Sequence, residues 1–370
     1  MIEAAKSVSP HNRQVKAVGL LSGGLDSTLA VKIIKDLGIE IHALYFAMPW
    51  GCCNKTKAME VALKLGIKLV VLQLDERYLE IVEKPKYGYG TALNPCRDCR
   101  IHMFSRAQKY MESINADFVF TGEVLGQRPM SQMRESMAII ERGSNLEGRL
   151  LRPLCAQLLE ATIPEQQGVV DRQKLLALSG RSRKEQINLA NQFGITDYLP
   201  PAGGCLLTDK NFARRMQDTF KYGYRNFRET IGLKWGRHFR LSENFKAVLG
   251  RDEAENESLK AFAHQDDYVM ELPDKIGPTL ILKGLNPDQE SSATTSQLSR
   301  EAEIPWRNQS IYFPIRQEIF AQAAGLIQRF SRHKGGEPVT VHCWPVKNPN
   351  DVREILSNIL TEEFIEQIKI

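Results

Sequence analysis

A short apolar run, Val15–Leu21 (VKAVGLL), breaks into Ser22-Gly23-Gly24-Leu25-Asp26-Ser27 and then into a segment with apolar residues at Leu29, Ala30, Ile33, Ile34 and Leu37. That last spacing is one face of a helix, and Gly38 stands where a helix C-cap belongs. A strand that runs through two glycines directly into a helix is a narrow instruction. The glycines carry no side chains, so backbone N–H groups can close on an anion, and the helix N-terminus adds partial positive charge. Ser22 and Ser27 can donate hydroxyl hydrogen bonds to phosphate oxygens. Asp26 would repel phosphate directly and is better used to hold Mg²⁺, which in turn holds phosphate. The spacing is neither GxxxxGKS nor GxGxxG, so P-loop NTPase and dinucleotide-binding readings lose ground.

The same strand–helix unit repeats. Ile39–Met48 reads as a strand, Lys55–Leu65 as a helix closed by Gly66, Lys68–Leu74 as a strand, Cys96–Ile114 as a helix and Asp117–Thr121 as a strand. Such alternation predicts an α/β fold, a doubly wound parallel sheet with right-handed crossovers. Arg149–Leu154 reads as a late strand, with helices over Asp171–Leu178 and Arg183–Phe193. Pro200-Pro201-Ala202-Gly203-Gly204-Cys205 cannot be helix interior. Beyond Lys221 the character changes: strand-like segments, a polar loop at Pro287–Ser299, a strand in Glu337–Val346 and a helix near Asp351–Ile359. The expected organisation is a domain over 1–222 and a smaller α+β domain over 223–370.

At 370 residues the chain is too long for one ordinary domain, and 42% hydrophobic with 25% charged residues is the balance of a globular protein. The net charge of +5 permits a polyanionic partner without requiring one. No apolar run approaches the roughly 18–20 residues of a membrane span, so no membrane partner is expected. The polar start, Met1–Gln14, has no leader-like apolar stretch, which makes the cytoplasm the expected compartment. Seven cysteines in a reducing compartment argue against a disulfide scaffold.

Ser22–Ser27 resembles the PP-loop of the ATP pyrophosphatases, which split ATP into AMP and pyrophosphate while adenylating a substrate. A second segment narrows the resemblance. Thr121–Gln132 (TGEVLGQRPMSQ), with Arg152-Pro153-Leu154 beyond it, is similar to the catalytic domain of the tRNA 4-thiouridine synthetases (ThiI), over about residues 15–200. A strand ending in Thr-Gly opens at the carboxyl edge of the sheet, where doubly wound folds bind ligands. Gly122 would allow close approach of a nucleotide, and Glu123, Gln127 and Gln132 could bind metal, nucleotide or RNA. Two features are expected to depart from the bacterial 4-thiouridine enzymes: the loop lies at Ser22, which leaves no room in this sequence for their RNA-binding extension, and no rhodanese pattern with a persulfide cysteine is recognised in the last third.

Cys96 and Cys99 form a C-x-x-C at an expected helix start, where the helix N-terminus, Arg97 and Arg100 favour thiolate. Cys205 follows Gly203-Gly204 on a loop free to reach back. Three cysteines suit a 4Fe–4S cluster with one iron left without a protein ligand, and the arrangement resembles the cluster-dependent tRNA thiolases. A redox pair, a zinc site and inert buried thiols are the alternatives. Cys52-Cys53 could relay sulfur, although incidental loop thiols fit as well, and Cys155 and Cys343 read as packing residues.

In the last third, Lys234, Arg237, His238, Arg240 and Lys246 alternate with Trp235 and Phe239, read as exposed basic and aromatic residues on strands that suit phosphate contact and base stacking. KAVLGRDEAENESLKAF followed by GPTLILKG is similar to the RNA-binding domain of the NFACT proteins, with Asp252 where that pattern has Asn. A dimerisation or lid domain is the other reading, and a homodimer is compatible with it. The resemblances together imply an ATP-dependent tRNA sulfurtransferase. ATP would sit on Ser22, Gly23, Gly24, Ser27, Gly122, Glu123 and Gln127, with Mg²⁺ at Asp26 and the cluster on Cys96, Cys99 and Cys205. Sulfide or a cysteine desulfurase would donate sulfur. The competing readings are thiouracil desulfuration, thiolation of a small molecule or cofactor, and a non-catalytic RNA-binding protein.

Overall fold

Alternating β-branched and apolar residues set the strands of the first sheet, and the computed structural model shows them for residues 14–51, 54–198, 204–223, 225–284 and 309–370. Cys52, Cys53, the Pro200–Gly203 stretch and the expected loop at Pro287–Ser299 lie outside these described residues. The chain divides into two compact units, Met1–Ala213 and Arg214–Ile370.

The first unit runs β1 (Lys16–Leu20), α1 (Leu25–Asp36), β2 (Glu40–Ala47), α2 (Lys55–Lys64), β3 (Lys68–Gln73), α3 (Arg77–Glu83), α4 (Cys96–Ser113), β4 (Phe118–Thr121), α5 (Arg134–Gly143) and β5 (Leu150–Leu151). Short α6 (Ile163–Gln166) and then α7 (Lys184–Gln192) follow, and α8 (Lys210–Lys221) contains the division between the units. The strands form one parallel sheet in the order β3-β2-β1-β4-β5. The order reverses between β1 and β4, so the crevice beyond their carboxyl ends is the switch point where such sheets bind ligands. Right-handed crossovers send α1 and α2 to one face and α4 to the other. The α1 face buries Leu25, Leu29, Val31 and Ile34 against Ala17, Ile41, Ala43, Phe118 and Phe120, with α7 packed on α1.

Two expected helices are something else. In Asp171–Leu178 only Arg172–Lys174 turns, as a 3-10 segment capped by the Asp171 side chain. Beyond it the backbone pairs with 153–157: Leu176 N–H donates to Pro153 O and Leu178 N–H to Leu154 O, and these long-range bonds override the local period. The expected helix at Asp351–Ile359 is the strand β11 (Arg353–Leu356). Its apolar spacing looks helical, but pairing with a neighbouring strand over Thr340↔Leu356 to Cys343↔Arg353 decides the matter.

The second unit is α9 (Phe227–Gly232), β6 (Arg237–Ser242), β7 (Phe245–Leu249), α10 (Glu253–Phe262), β8 (Tyr268–Glu271), β9 (Leu280–Gly284), α11 (Gln309–Arg329), β10 (Thr340–Pro345), β11 and α12 (Glu362–Ile368). Its antiparallel sheet has the order β11-β10-β8-β9-β7-β6. One face packs Phe239, Leu249, Met270 and Leu282 on Ala323, Leu326 and Ile327 of α11, and the other packs Val248, Val269 and Ile281 on Leu259 of α10. Asp252 caps α10 by accepting from Glu255 N–H at 2.9 Å.

Candidate active site

The Ser22–Ser27 loop joins β1 to α1 and is held by its own hydroxyls. Ser22 N–H donates to Ser27 Oγ (3.3 Å), Gly24 N–H donates to Ser22 Oγ (3.3 Å), and Ser27 Oγ donates to Gly24 O (2.9 Å). Gly23 has φ +79°, and a Cβ there would meet Ala58 N at 2.8 Å and Asn54 O at 3.0 Å, so the turn against α2 requires glycine. Gly122, just past β4, packs on this loop, because a Cβ would stand 2.5 Å from Asp26 O and Ser27 N. The close approach expected of Gly122 is therefore made first to the loop backbone itself.

Asp26 is half-buried at the start of α1. Its Oδ2 accepts from Gln127 Nε2 at 3.1 Å, and its buried Oδ1 has no hydrogen-bond partner. Burial pushes its carboxyl above the ordinary range, opposed by the Gln127 bond and then by the charges of Arg183 and Arg128. An acceptor without a donor beside a glycine-rich loop is the kind of oxygen a cation such as Mg²⁺ would take. Glu123 is committed elsewhere: its buried carboxylate faces Arg152 at 3.2 Å and Arg100 at 3.6 Å, and Arg152 also reaches Glu141 at 2.9 Å. Gln132 is buried with its side-chain Oε1 unpartnered, while its backbone carbonyl accepts from Gly126 N–H at 2.7 Å.

Cys96 and Cys99 lie in the first turn of α4, at the carboxyl edge of the sheet, and Cys205 reaches the segment just past β2. Asn94 Nδ2 donates to Cys96 Sγ at 3.1 Å, the Tyr78 hydroxyl donates to Cys99 Sγ at 3.1 Å, and Cys205 Sγ donates to Trp50 O at 3.5 Å. Buried Tyr78 bonds Cys99 and feels the charges of the other two thiols. Its phenol is pushed well above the ordinary 10.0, first by burial and then by Cys99, Cys205 and Cys96. Trp50 stacks on the same ring at 6.1 Å and His102 tilts against it at 5.8 Å. As placed, no three His, Cys, Asp or Glu side chains among the described residues could hold a metal ion. Thiols are the donor type an iron–sulfur site uses, and here Asn94 and Tyr78 donate to two of them while the third donates to the Trp50 carbonyl. Cys155 and Cys343 are buried, their thiols pushed by burial to about 11 and about 12.

The basic–aromatic strand of the second unit is not the exposed surface its sequence suggests. His238, Phe239 and Lys246 are buried. Arg240 makes two hydrogen bonds to Asp218, at 3.1 and 2.6 Å, lies 4.0 Å over the Tyr222 ring, and shares Asp218 with Lys246 at 3.3 Å. Arg237 stacks on Phe330 at 4.9 Å. The outer edge of β6 is covered by the chain's own end, through a Phe239↔Lys369 bridge and Ile370 N–H donating to His238 O.

Sequence reading passed over Tyr78, His102, Arg128 and Arg183. No local spacing links Tyr78 to Cys99. A basic cluster at the start of α7, against the helix dipole, was a usable signal for Arg183.

A parallel sheet whose switch point carries a glycine-rich loop after β1, locked by a glycine after β4, is of the PP-loop-like α/β class. Within that class, residues 12–163 match the family model described as "Thiamine biosynthesis protein (ThiI)". Residues 236–300 match the "NFACT protein RNA binding domain". The first unit is thus a ThiI-type PP-loop domain, and the second carries an NFACT-type domain. The chain is 36% identical over 113 residues to a tRNA-specific 2-thiouridylase MnmA of Sulfurimonas denitrificans, covering 28% of this chain and 33% of that one. It is 31% identical over 161 residues to a probable tRNA sulfurtransferase of Caldanaerobacter subterraneus subsp. tengcongensis, covering 42% and 40%. The chain thus spans well under half the length of these curated relatives. A 4-thiouridine synthetase solved with RNA and bound ATP aligns at 24% identity and a TM-score of 0.37, over 53% of this chain and 46% of that one.

Proposed function

We propose that this protein is an ATP-dependent tRNA sulfurtransferase. The observation that carries the reading is the sharing of one sheet edge by a glycine-rich loop, with the buried Oδ1 of Asp26 left without a hydrogen-bond partner, and by the C-x-x-C thiols, of which Cys99 accepts from Tyr78. An adenylating enzyme needs the first, and a sulfur carrier needs the second.

In this reading the loop N–H groups and the Ser22 and Ser27 hydroxyls turn to the phosphates of ATP, and Asp26 would hold Mg²⁺. A uridine carbonyl oxygen attacks the α-phosphate and pyrophosphate leaves. Sulfide then displaces AMP from the base, so a poor leaving group has been exchanged for a good one. Preorganised N–H donors stabilise the charge gathering on pyrophosphate. Cys96, Cys99 and Cys205 are the donor set for a 4Fe–4S cluster, which when bound would supply the sulfide. The first unit performs the chemistry, and the second binds tRNA. The test is direct. Anaerobic protein is incubated with unmodified tRNA, Mg·ATP and sulfide, and the nucleosides are analysed by mass spectrometry. A thiouridine that forms only with ATP is expected. Its absence, with ATP consumed on another substrate, overturns the tRNA reading.

A further inference from the structure

His238, Lys246 and Lys283 stand on three neighbouring strands of the second sheet. His238 pairs with Val248, and Lys246, two residues before Val248, pairs with Lys283. The period of a strand puts all three on the face that packs against α10 through Val248 and Leu259. Two ammoniums directly opposite each other repel, and acids answer them: Asp218 meets Lys246 at 3.3 Å and Glu229 meets Lys283 at 3.0 Å. His238 has no such answer. Its Nε2 lies 2.8 Å from Trp235 O, which can only accept, so Nε2 carries the proton and Nδ1 is a bare acceptor. Burial, and then the charge of Lys246, holds the ring's pKa well below the ordinary 6.5 and keeps it neutral. Nδ1 is buried with no hydrogen-bond partner among the described residues. Such an acceptor is costly and calls for a donor.

The three side chains line a cavity of about 30 Å³ between the ends of α9 and α10, with Leu233 and Leu259 buried in it and Phe262 half-buried at its rim. At roughly 10–15 Å³ for each water-sized group, the space takes about two: a hydroxyl and the carbon that carries it, but not a base or a phosphate. The occupant must donate to His238 Nδ1 and accept from Lys246, whose ammonium has N–H groups to spare beyond Asp218. A hydroxyl does both. The rim indicates what carries the hydroxyl. Lys234, next to Leu233, is half-buried and its ammonium has no partner among the described residues. Arg228 donates to the Phe262 and Ala263 carbonyls at 3.2 Å and lies 5.6 Å from the Phe262 ring, which Trp235 meets edge-on at 5.1 Å. Cations for phosphate and rings for a base, set around a slot for one hydroxyl, match the parts of a ribonucleotide. We infer that the second unit seats a ribose 2′-hydroxyl of RNA in this cavity, between His238 Nδ1 and Lys246 Nζ, and so tells RNA from DNA. The inference rests on the tRNA reading above and adds the residues that recognise the sugar.

The experiment is an anisotropy titration of the whole protein with an unmodified tRNA transcript and with DNA and 2′-O-methyl copies of the same sequence. Wild type should bind the transcript about threefold to tenfold tighter than either copy, the worth of one hydrogen-bonded hydroxyl, because DNA lacks the group and the methyl ether can neither donate nor fit. His238→Phe removes the acceptor, so the transcript should fall to the level of the copies while the copies stay where they were. Lys234→Ala should weaken all three alike and reduce the salt slope by about one, and an unchanged slope overturns the phosphate seat. Equal affinity of wild type for the three ligands overturns the assignment with no variant needed. A His238→Phe protein that its unfolding midpoint shows to be folded also overturns it, if it keeps the wild-type preference or weakens for all three alike. A wild-type protein that binds none of the three overturns the tRNA reading as well, so the two failures are told apart.

Discussion

Gly122 rests on the peptide that joins Asp26 to Ser27, so closely that a Cβ would stand 2.5 Å from the Asp26 carbonyl oxygen and from the Ser27 nitrogen. Both clashes are with backbone, which cannot rotate out of the way. The end of β4 therefore fixes where the phosphate loop sits, and through Gln127 it also fixes where the Asp26 carboxylate points.

Gly122→Ala should test that coupling. The extra methyl overpacks a buried contact, at a cost of about 1–3 kcal/mol, and the protein should still fold. The loop donors, however, would shift by a large fraction of an ångström. Displacements of that size cost about a hundredfold in catalysis. Circular dichroism close to wild type together with a large loss of ATP turnover is expected. Full turnover would mean the loop does not depend on Gly122.

Asp26→Asn should separate function from stability. Burial holds the Asp26 carboxyl above its ordinary 3.8. Between that value and the raised one, the folded protein holds a proton that the unfolded chain has released, so stability falls as pH rises through this window. At neutral pH the full penalty is present. Asparagine removes it and still accepts the Gln127 bond, so the unfolding midpoint at pH 7 should equal or exceed that of wild type. Adenylation should drop by about a hundredfold or more without the metal-binding oxygen. A lower midpoint with intact adenylation would remove Asp26 from both roles.

The parallel sheet was legible because local signals mark its strand and helix ends: the glycine pair after β1, Gly66 after α2, Gly122 after β4. The Asp351–Ile359 segment was not, because Val352, Ile355, Leu356 and Ile359 have helical spacing and only the partner strand β10 selects extended backbone. The phosphate loop could be read because its residues are consecutive. Arg183 and Tyr78 reach their sites through tertiary contacts, which carry no sequence period. The basic run in β6 and β7 misled for a related reason: a charged residue looks exposed until a partner such as Asp218 appears from another element.

That partner gives a prediction for the second unit. Arg240→Ala leaves Asp218 with half its compensation in a nearly closed site, and should destabilise the unit by about 3–5 kcal/mol. Arg240 is thus a poor probe of RNA contact. Arg237→Ala is better, and should reduce the salt slope of tRNA binding by about one if Arg237 touches a phosphate. An Arg240→Ala protein as stable as wild type would contradict the ion cluster.

Lys246 supplies a pH signature for the same cluster. Burial lowers its ammonium from the ordinary 10.5 to about 8, against the pull of Asp218. Between those values the unfolded chain keeps a proton that the folded protein has lost, so this group makes stability rise with pH across that window. Lys246→Met should flatten the rise, because Arg240 still pairs Asp218. Urea midpoints at several alkaline pH values decide it, and parallel curves for the two proteins would mean that Lys246 titrates as an exposed lysine does.

The thiols carry the last prediction. Reconstituted without oxygen, with iron and sulfide, the protein should hold about four irons per chain, as one 4Fe–4S centre requires. Cys96→Ala, Cys99→Ala and Cys205→Ala should each lose it, because each supplies one of the three thiolates proposed to hold the irons. Cys155→Ala and Cys343→Ala should keep it, since both thiols are buried and held protonated at neutral pH. Binding requires the three side chains to turn inward from Asn94, Tyr78 and Trp50, a rotamer change that exchanges weak bonds to sulfur for metal–thiolate bonds. The centre should decay in air, because one iron has no protein ligand. If the anaerobic protein instead takes up one zinc and Cys205→Ala retains it, the sulfide-bearing cluster is excluded. Sulfur must then arrive from an outside persulfide donor, and Cys52 and Cys53 become the residues to replace next.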